Sequence, residues 1–174
     1  AGGGFVTIVE NAGQSKAQGI ELETTIALTD DFTIRTAVGY LDSEITEVAE
    51  GVQGIGKGDS PALTPRWTVM VAPSYFVDLS NGGTVALNAN YSYRSEMQGQ
   101  SVFNKSETID SRELVGFNIS YTNPYGDMEV TLYGENVLNE VYDVGRLQQT
   151  GFVGVMRSND RSEFGLKFKK DFEL

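Results

Sequence analysis

Apolar residues recur at every second position in this sequence, over stretches longer than most globular strands. From Gly19 to Leu28, Ile20, Leu22, Ile26 and Leu28 fall on one face, and Gly19, Glu21, Glu23, Thr25 and Ala27 on the other. Phe32, Ile34, Thr36, Val38 and Tyr40 alternate with Thr33, Arg35, Ala37 and Gly39. Val85, Leu87, Ala89, Tyr91 and Tyr93 do the same, as do Val115, Phe117, Ile119 and Tyr121. Phe164, Leu166 and Phe168 alternate with Glu163, Gly165, Lys167 and Lys169. Successive side chains of an extended chain point to opposite faces, so this period marks strands with one apolar and one wet face. No comparable stretch carries helical spacing. The expected class is all-β, with strands over 5–10, 16–28, 32–46, 65–77, 84–96, 112–122, 128–137 and 162–172.

Short and long connections alternate between these strands. Thr29-Asp30-Asp31, the run from Asp78 to Gly83 and the run from Asn123 to Asp127 carry the Asn, Gly, Asp and Pro chemistry of tight turns. Longer links cover 47–64, 97–111 and 138–161. In an antiparallel up-and-down meander, alternate connections fall on opposite ends, so one end carries turns and the other long loops. Transmembrane β-barrels are built this way. The expected strand lengths exceed the average of about 5–6 residues for a globular strand and suit a tilted membrane-crossing one. Phe32 and Tyr40, and likewise Trp67 and Tyr75, lie eight residues apart on one face. Eight residues of a tilted strand rise by roughly 20 Å, close to the separation of the two aromatic girdles of such barrels. A soluble β-barrel or sandwich has the same period but turns its apolar face inward, so both architectures remain open on pattern alone.

Composition narrows the chemistry. The chain contains neither Cys nor His. That removes disulfides, thiolate and imidazole metal sites, a cysteine nucleophile and the commonest general base. Acidic residues number 24 against 13 basic ones, a formal charge of −11. Nucleic acid is therefore not an expected partner, because phosphate binding needs a basic surface. The longest apolar runs are only four or five residues, such as Val69-Met70-Val71-Ala72, far below the roughly 20 residues of a membrane-spanning helix. No secretory leader pattern stands at the start.

Three features could carry chemistry, and each has a plainer reading. Gly51 to Gly58 nearly spells a phosphate-binding loop, but Gly58 replaces the hydroxyl residue, and Pro61 and Pro65 forbid the helix that must follow. A flexible glycine-rich loop is expected instead. Glu21 and Glu23 share a strand face at a spacing that could serve acid–base catalysis. The wet face of an amphipathic strand carries such pairs routinely, and Arg35, Arg94, Glu129, Glu135 and Lys167 fall on similar faces. Together they describe a charged, water-filled interior. Asp42, Glu44, Glu47, Glu50 and Asp59 could offer oxygen ligands to calcium, but without the regular spacing of a calcium loop. No metal or cofactor is expected.

Several short motifs then line up in order. The run from Asn11 to Glu23, with Gly13, Gly19, Ile20 and Glu21, resembles a segment of TonB-dependent outer-membrane receptors. Tyr40-Leu41-Asp42-Ser43, Thr64-Pro65-Arg66-Trp67-Thr68 and Tyr91-Ser92-Tyr93-Arg94-Ser95 resemble strand ends and starts of the same family. Gly134-Glu135-Asn136-Val137-Leu138-Asn139-Glu140-Val141-Tyr142 resembles its segment before the last long loop. Order and spacing over nearly the whole chain match the C-terminal end of that barrel. Gly19 is expected where the chain re-enters the wall. Asn136 is expected to tie the last loop by hydrogen bonds to backbone. Phe164, Leu166, Phe168 and Phe172 fit the alternating final strand, with Lys170 near the interface so that its stem can snorkel.

The resemblance implies a transporter and not an enzyme. It implies a partial transmembrane β-barrel, the last eight or so of about 22 strands around a plugged lumen, with the plug and the N-terminal strands outside residues 1–174. It places the chain in the outer membrane of a Gram-negative bacterium, with lipid around it. TonB would act through the N-terminal region that is not in this sequence. The cargo would be a scarce nutrient: a ferric siderophore, a vitamin or an oligosaccharide. Tyr142, Arg146 and Phe152 become ligand-contact candidates in the last loop; Glu21, Glu23, Arg35, Arg94, Glu129 and Lys167 become lumen-facing candidates. The alternatives are a complete small eight-stranded outer-membrane barrel, an adhesin or structural protein, and a soluble β-barrel that binds an apolar ligand.

Overall fold

A computed structural model describes residues 13–52, 54–99, 108–149, 152–158 and 161–172. All its regular elements are strands: β1 (Gly13–Ala27), β2 (Phe32–Val48), β3 (Trp67–Asp78), β4 (Thr84–Arg94), β5 (Met97–Gln98), β6 (Thr108–Ile109), β7 (Arg112–Thr122), β8 (Met128–Glu135), β9 (Asp143–Gln149), β10 (Phe152–Arg157) and β11 (Glu163–Lys170). Seven of them form one antiparallel sheet in the order β1-β2-β3-β4-β7-β8-β11. The meander expected from the sequence is present. The strand expected over 5–10 lies outside the described residues. Among the described residues β1 and β11 do not pair, so the sheet stays open.

Two of the long links contain strands of their own. β5 pairs with β6 between β4 and β7, and β9 pairs with β10 between β8 and β11. Their period was hidden because β5 and β6 are two residues each and because Gly145 and Gly154 interrupt the alternation of the longer pair. Gly19 lies inside β1, paired with Leu41, where a side chain would run into the Tyr40 carbonyl oxygen. There it permits close approach of β1 to β2, one residue before Ile20, where the apolar face begins.

The register assigns every strand residue to one of two faces. Across the sheet, Phe32, Tyr75, Leu87, Ile119, Leu132 and Leu166 stand in one row. Val77, Val85, Tyr121, Val130 and Phe168 form the next. Ile20, Tyr40 and Trp67 form a row at the far end of the same face. The register places the four aromatic residues of the eight-residue interval as two cross-strand pairs, one at each end of the apolar face. The Phe32 and Tyr75 rings meet edge-on at 6.0 Å, and Tyr40 and Trp67 meet at 4.7 Å. Above Tyr40 this face changes character: Gln18, Lys16 and Gln14 stand opposite Asp42, Glu44 and Glu47. The apolar band therefore ends at Ile20–Tyr40–Trp67, while β1 and β2 continue into water.

Curvature tells which side faces what. The concavities of the sheet are lined by the polar rows, including Glu21, Glu23, Asn90, Ser92, Arg94, Glu135 and Glu163. The apolar rows are on the outside, with Ile20 72%, Leu166 69% and Phe168 65% exposed. Ile109 is the one buried large hydrophobic among the described residues. A water-soluble protein does not leave a continuous apolar face of this size bare. The same face is the natural outer surface of a wall in lipid.

At the tight-turn end the backbone is satisfied locally. Thr29 Oγ1 accepts from the Phe32 amide at 3.0 Å, and Asn81 Oδ1 from the Gly83 amide at 2.9 Å. In the third turn Asn123 Oδ1 accepts from the Met128 amide at 3.1 Å, while its Nδ2 donates to Asp127 at 2.8 Å. Lys170 sits opposite Met128 on the apolar face, and its ammonium reaches the Asp127 carboxylate in that turn. The Lys170 ammonium, joined by the Asn123 amide, holds the Asp127 carboxyl below its usual range. An amine at the edge of the apolar band thus finds a partner in the watery turn, as a snorkelling lysine should.

Two faces of opposite polarity predict opposite tolerances. Leu166→Arg, in the middle of the apolar face of β11, should cost about 2–4 kcal/mol of folding stability in a bilayer. Thr131→Arg, on the opposite face beside Lys167, should cost well under 1 kcal/mol. Denaturant titration of the receptor folded into vesicles distinguishes the two, and equal costs would overturn the facing assigned here.

Candidate functional site

The long-loop end is built differently from the turn end. Strand β8 stops because Asn136 enters the left-handed region, with φ at 44°. Its side chain then replaces the lost ladder: Nδ2 donates to the Glu140 carbonyl and Oδ1 accepts from the Glu140 amide, both at 2.9 Å. Asn139, also left-handed with φ at 52°, accepts from the Ser162 amide at 3.2 Å. Asparagine tolerates this backbone conformation and bonds its own neighbours, so two of them can close a loop without glycine. The tie expected from Asn136 is present. Glu140 adds a bond to the start of β7, accepting from the Glu113 amide at 3.1 Å.

Beyond this knot, the β9–β10 hairpin is held by a buried carboxylate. Asp143, 9% exposed, accepts from Arg146 Nε at 2.8 Å and Nη2 at 2.6 Å, and from Arg157 Nε at 3.0 Å. Arg146 also lies 3.7 Å from Asp110, beside β6. Burial alone would raise the Asp143 carboxyl, but the bonds from Arg146 and Arg157 outweigh it and hold the group below its ordinary value. Arg146 is therefore committed to ion pairs that fasten the hairpin. Phe152 opens β10 opposite Gln149; its side chain lies outside the described residues.

Tyr142 has another setting. Its ring lies 4.7 Å from the Arg112 guanidinium, a cation–π contact between the loop and the start of β7. It also borders a concavity of about 670 Å³ with Asn90, Ser92, Asn136, Arg161 and Glu163. Of the candidates in the last loop, Tyr142 lines this concavity and Arg146 is not among its lining residues.

The six charged candidates all lie on the concave polar face. Glu21 shares a cross-strand row with Gly39, Thr68, Arg94 and Arg112. Glu23 and Arg35 follow one and two rows towards the turns. Glu129 pairs with Thr122 and Lys169 near the turn end, and Lys167 with Thr131. Lys167 lies 4.4 Å from the Tyr133 ring, whose hydroxyl donates to Glu163 at 2.8 Å. That ring covers Gly165 and leaves no room for a side chain there.

The other motifs resolve into structural roles. The described residues of the run from Gly51 to Gly58, all but Gln53, belong to no strand or helix, with Gly51, Gly54 and Gly58 left-handed, and no helix follows. It folds back on β2, with the Gly58 amide donating to the Ile45 carbonyl at 2.8 Å. Among the described residues no acidic cluster is arranged to hold a metal ion. Asp59 instead accepts from the Gly56 amide, Glu47 from Gln14, and Asp42 lies 3.9 Å from Arg66. Sequence reasoning missed Asp143, Asp110, Arg112 and Asn139. Only Arg112 and Asn139 left a trace, on a strand face and within a recognised motif.

A family profile described as "TonB dependent receptor-like, beta-barrel" matches residues 1–139. The chain belongs to that family. Its members are transport receptors of the outer membrane rather than enzymes. Among solved structures, the ferric yersiniabactin uptake receptor FyuA from Yersinia pestis is similar with a TM-score of 0.79 at 14% identity, over 94% of this chain and 24% of that one. BauA, the ferric preacinetobactin receptor from Acinetobacter baumannii, gives 0.70 at 20% identity, over 92% and 23%. The siderophore receptor PiuA from Acinetobacter baumannii gives 0.73 at 19% identity, over 91% and 22%. The chain thus spans about a quarter of each receptor's length. A search of curated protein sequences gave no match.

The buried carboxylate makes the hairpin sensitive to acid in a defined direction. A depressed carboxyl stabilises the fold above its unfolded-state value, and that stabilisation is lost as pH falls below about 4. Asp143→Asn should loosen the hairpin at neutral pH by about 2 kcal/mol, seen as roughly 30-fold faster protease cleavage within 143–157. Its cleavage rate should then vary less between pH 6 and pH 3 than that of the unmodified receptor.

Proposed function

We propose that this chain is a C-terminal part of the wall of an outer-membrane receptor that imports a ferric siderophore with energy delivered through TonB. The observation that carries this reading is the family match over residues 1–139. The likeness in fold to three siderophore receptors, two of them named for a ferric siderophore, favours that cargo over a vitamin or an oligosaccharide. The sheet supports the setting: an outward apolar face ending at aromatic rows, a wet inner face, and long loops gathered at one end. In a complete barrel of about 22 strands, a plug would fill the lumen, and TonB would act on it from the other side of the membrane. Glu21, Glu23, Arg35, Arg94, Glu129 and Lys167 would then face the lumen, and Tyr142 the ligand entrance.

The family match argues against a small eight-stranded barrel, and the exposed apolar rows against a soluble one.

Deletion of the gene in its own bacterium tests the proposal. Growth should fail when iron is held by the strain's siderophore and recover when iron is supplied freely. Uptake of the radiolabelled ferric complex should be lost, and lost equally in a strain without TonB. Normal uptake in the deletion strain would overturn the assignment.

A further inference from the structure

From the geometry we infer that Arg94 and Arg112 form a receptor for an anionic oxygen group of the ligand, so that the imported chelate is an anion. This rests on the uptake reading above. The two arginines are direct cross-strand partners at the long-loop ends of β4 and β7, on the concave face. Like charges placed opposite one another in a sheet repel. The usual remedy is a nearby carboxylate, and this chain has 24 acidic residues against 13 basic ones. Yet among the described residues neither arginine has a carboxylate within ion-pair distance, although Arg66, Arg146 and Arg157 each do.

Their remaining contacts hold them in place without neutralising them. Arg112 lies against the Tyr142 ring, and Arg94 Nη2 donates to the Asp110 carbonyl at 3.0 Å. Among the described residues the buried Arg94 Nε has no acceptor, so one donor of this guanidinium is left over. Glu21 stands in the same row beyond Gly39 and Thr68, three strands away, or about 14 Å. Small residues between the arginines and that carboxylate leave a trough of about 360 Å³. Two adjacent guanidinium groups at the edge of such a trough match the paired oxygens of a carboxylate or catecholate, which arginine binds with parallel hydrogen bonds. A group entering from the loop end passes Tyr142 and meets this pair.

The test uses the whole receptor purified in detergent and three iron(III) chelates: a trianionic tris-catecholate, a citrate complex and a neutral tris-hydroxamate. An anionic chelate should bind more tightly than the neutral one. Arg94→Gln and Arg112→Gln should each raise its Kd by about tenfold or more, while Arg94→Lys restores part of the loss. Arg94→Gln is the cleaner variant, because it leaves the Tyr142 contact intact. Tightest binding of the neutral chelate, or a Kd unchanged by both variants, overturns the arginine assignment and leaves the uptake reading standing. An unchanged Kd with a lowered melting temperature of the ligand-free receptor assigns the pair to a carboxylate of the protein and also overturns it. Failure of all three chelates to bind counts against both readings.

Discussion

The structure depends on one constraint: each strand must satisfy two solvents at once. Backbone donors and acceptors are paired along the sheet, so they make no demand on the surroundings. Side chains then divide by the pleat, apolar on the convex face and polar on the concave one. Trp67, Tyr40 and Ile20 end the apolar face at one edge. Lys170 ends it at the other, with its ammonium held by Asp127 in the turn. This division replaces a conventional core, which explains why Ile109, in the small β5–β6 unit, is the one buried large hydrophobic described.

That constraint also decides what could be read in the sequence. A strand with one face in lipid and one in water must alternate, so six of the seven wall strands were placed within two residues at either end. Strand β1 began three residues earlier than expected. Pairing of consecutive strands then fixed the rows; the ring contacts of Phe32 with Tyr75 and of Tyr40 with Trp67 follow from the β2–β3 register and not from the eight-residue interval along each strand. Strands outside the apolar band escape the rule. β9 and β10 lie wholly in the last loop, where no second solvent imposes a period, and Gly145 and Gly154 break what alternation there is.

The site was legible to a lesser degree for a related reason. Whether a charged residue lies on the concave face follows from parity alone, and Glu21, Glu23, Arg35, Arg94, Glu129 and Lys167 all obey it. Which charges meet depends on how the loops fold. Asp143 reaches Arg146 and Arg157 only because β9 and β10 form a hairpin, and Asp110 comes within range only because β6 lies beside it. Arg146, a ligand-contact candidate from its place in the last loop, pairs with Asp143 and Asp110, neither of which its own sequence neighbourhood announces. Asn136 was the exception, since its bonds join residues four apart and need no distant partner.

The two ends of the sheet consequently divide the work. At the turn end, three short connections satisfy their own backbone with side chains of their own residues, so nothing there needs to change with cargo. At the loop end, the Asn136–Asn139 knot and the Asp143 ion pairs fasten the last loop by its own charges and amides. The wall beneath is then not required to hold the loop, apart from the Val115 carbonyl, the Glu113 amide and the stacking of Arg112 on Tyr142. Arg112 couples that loop to the charged row of the sheet.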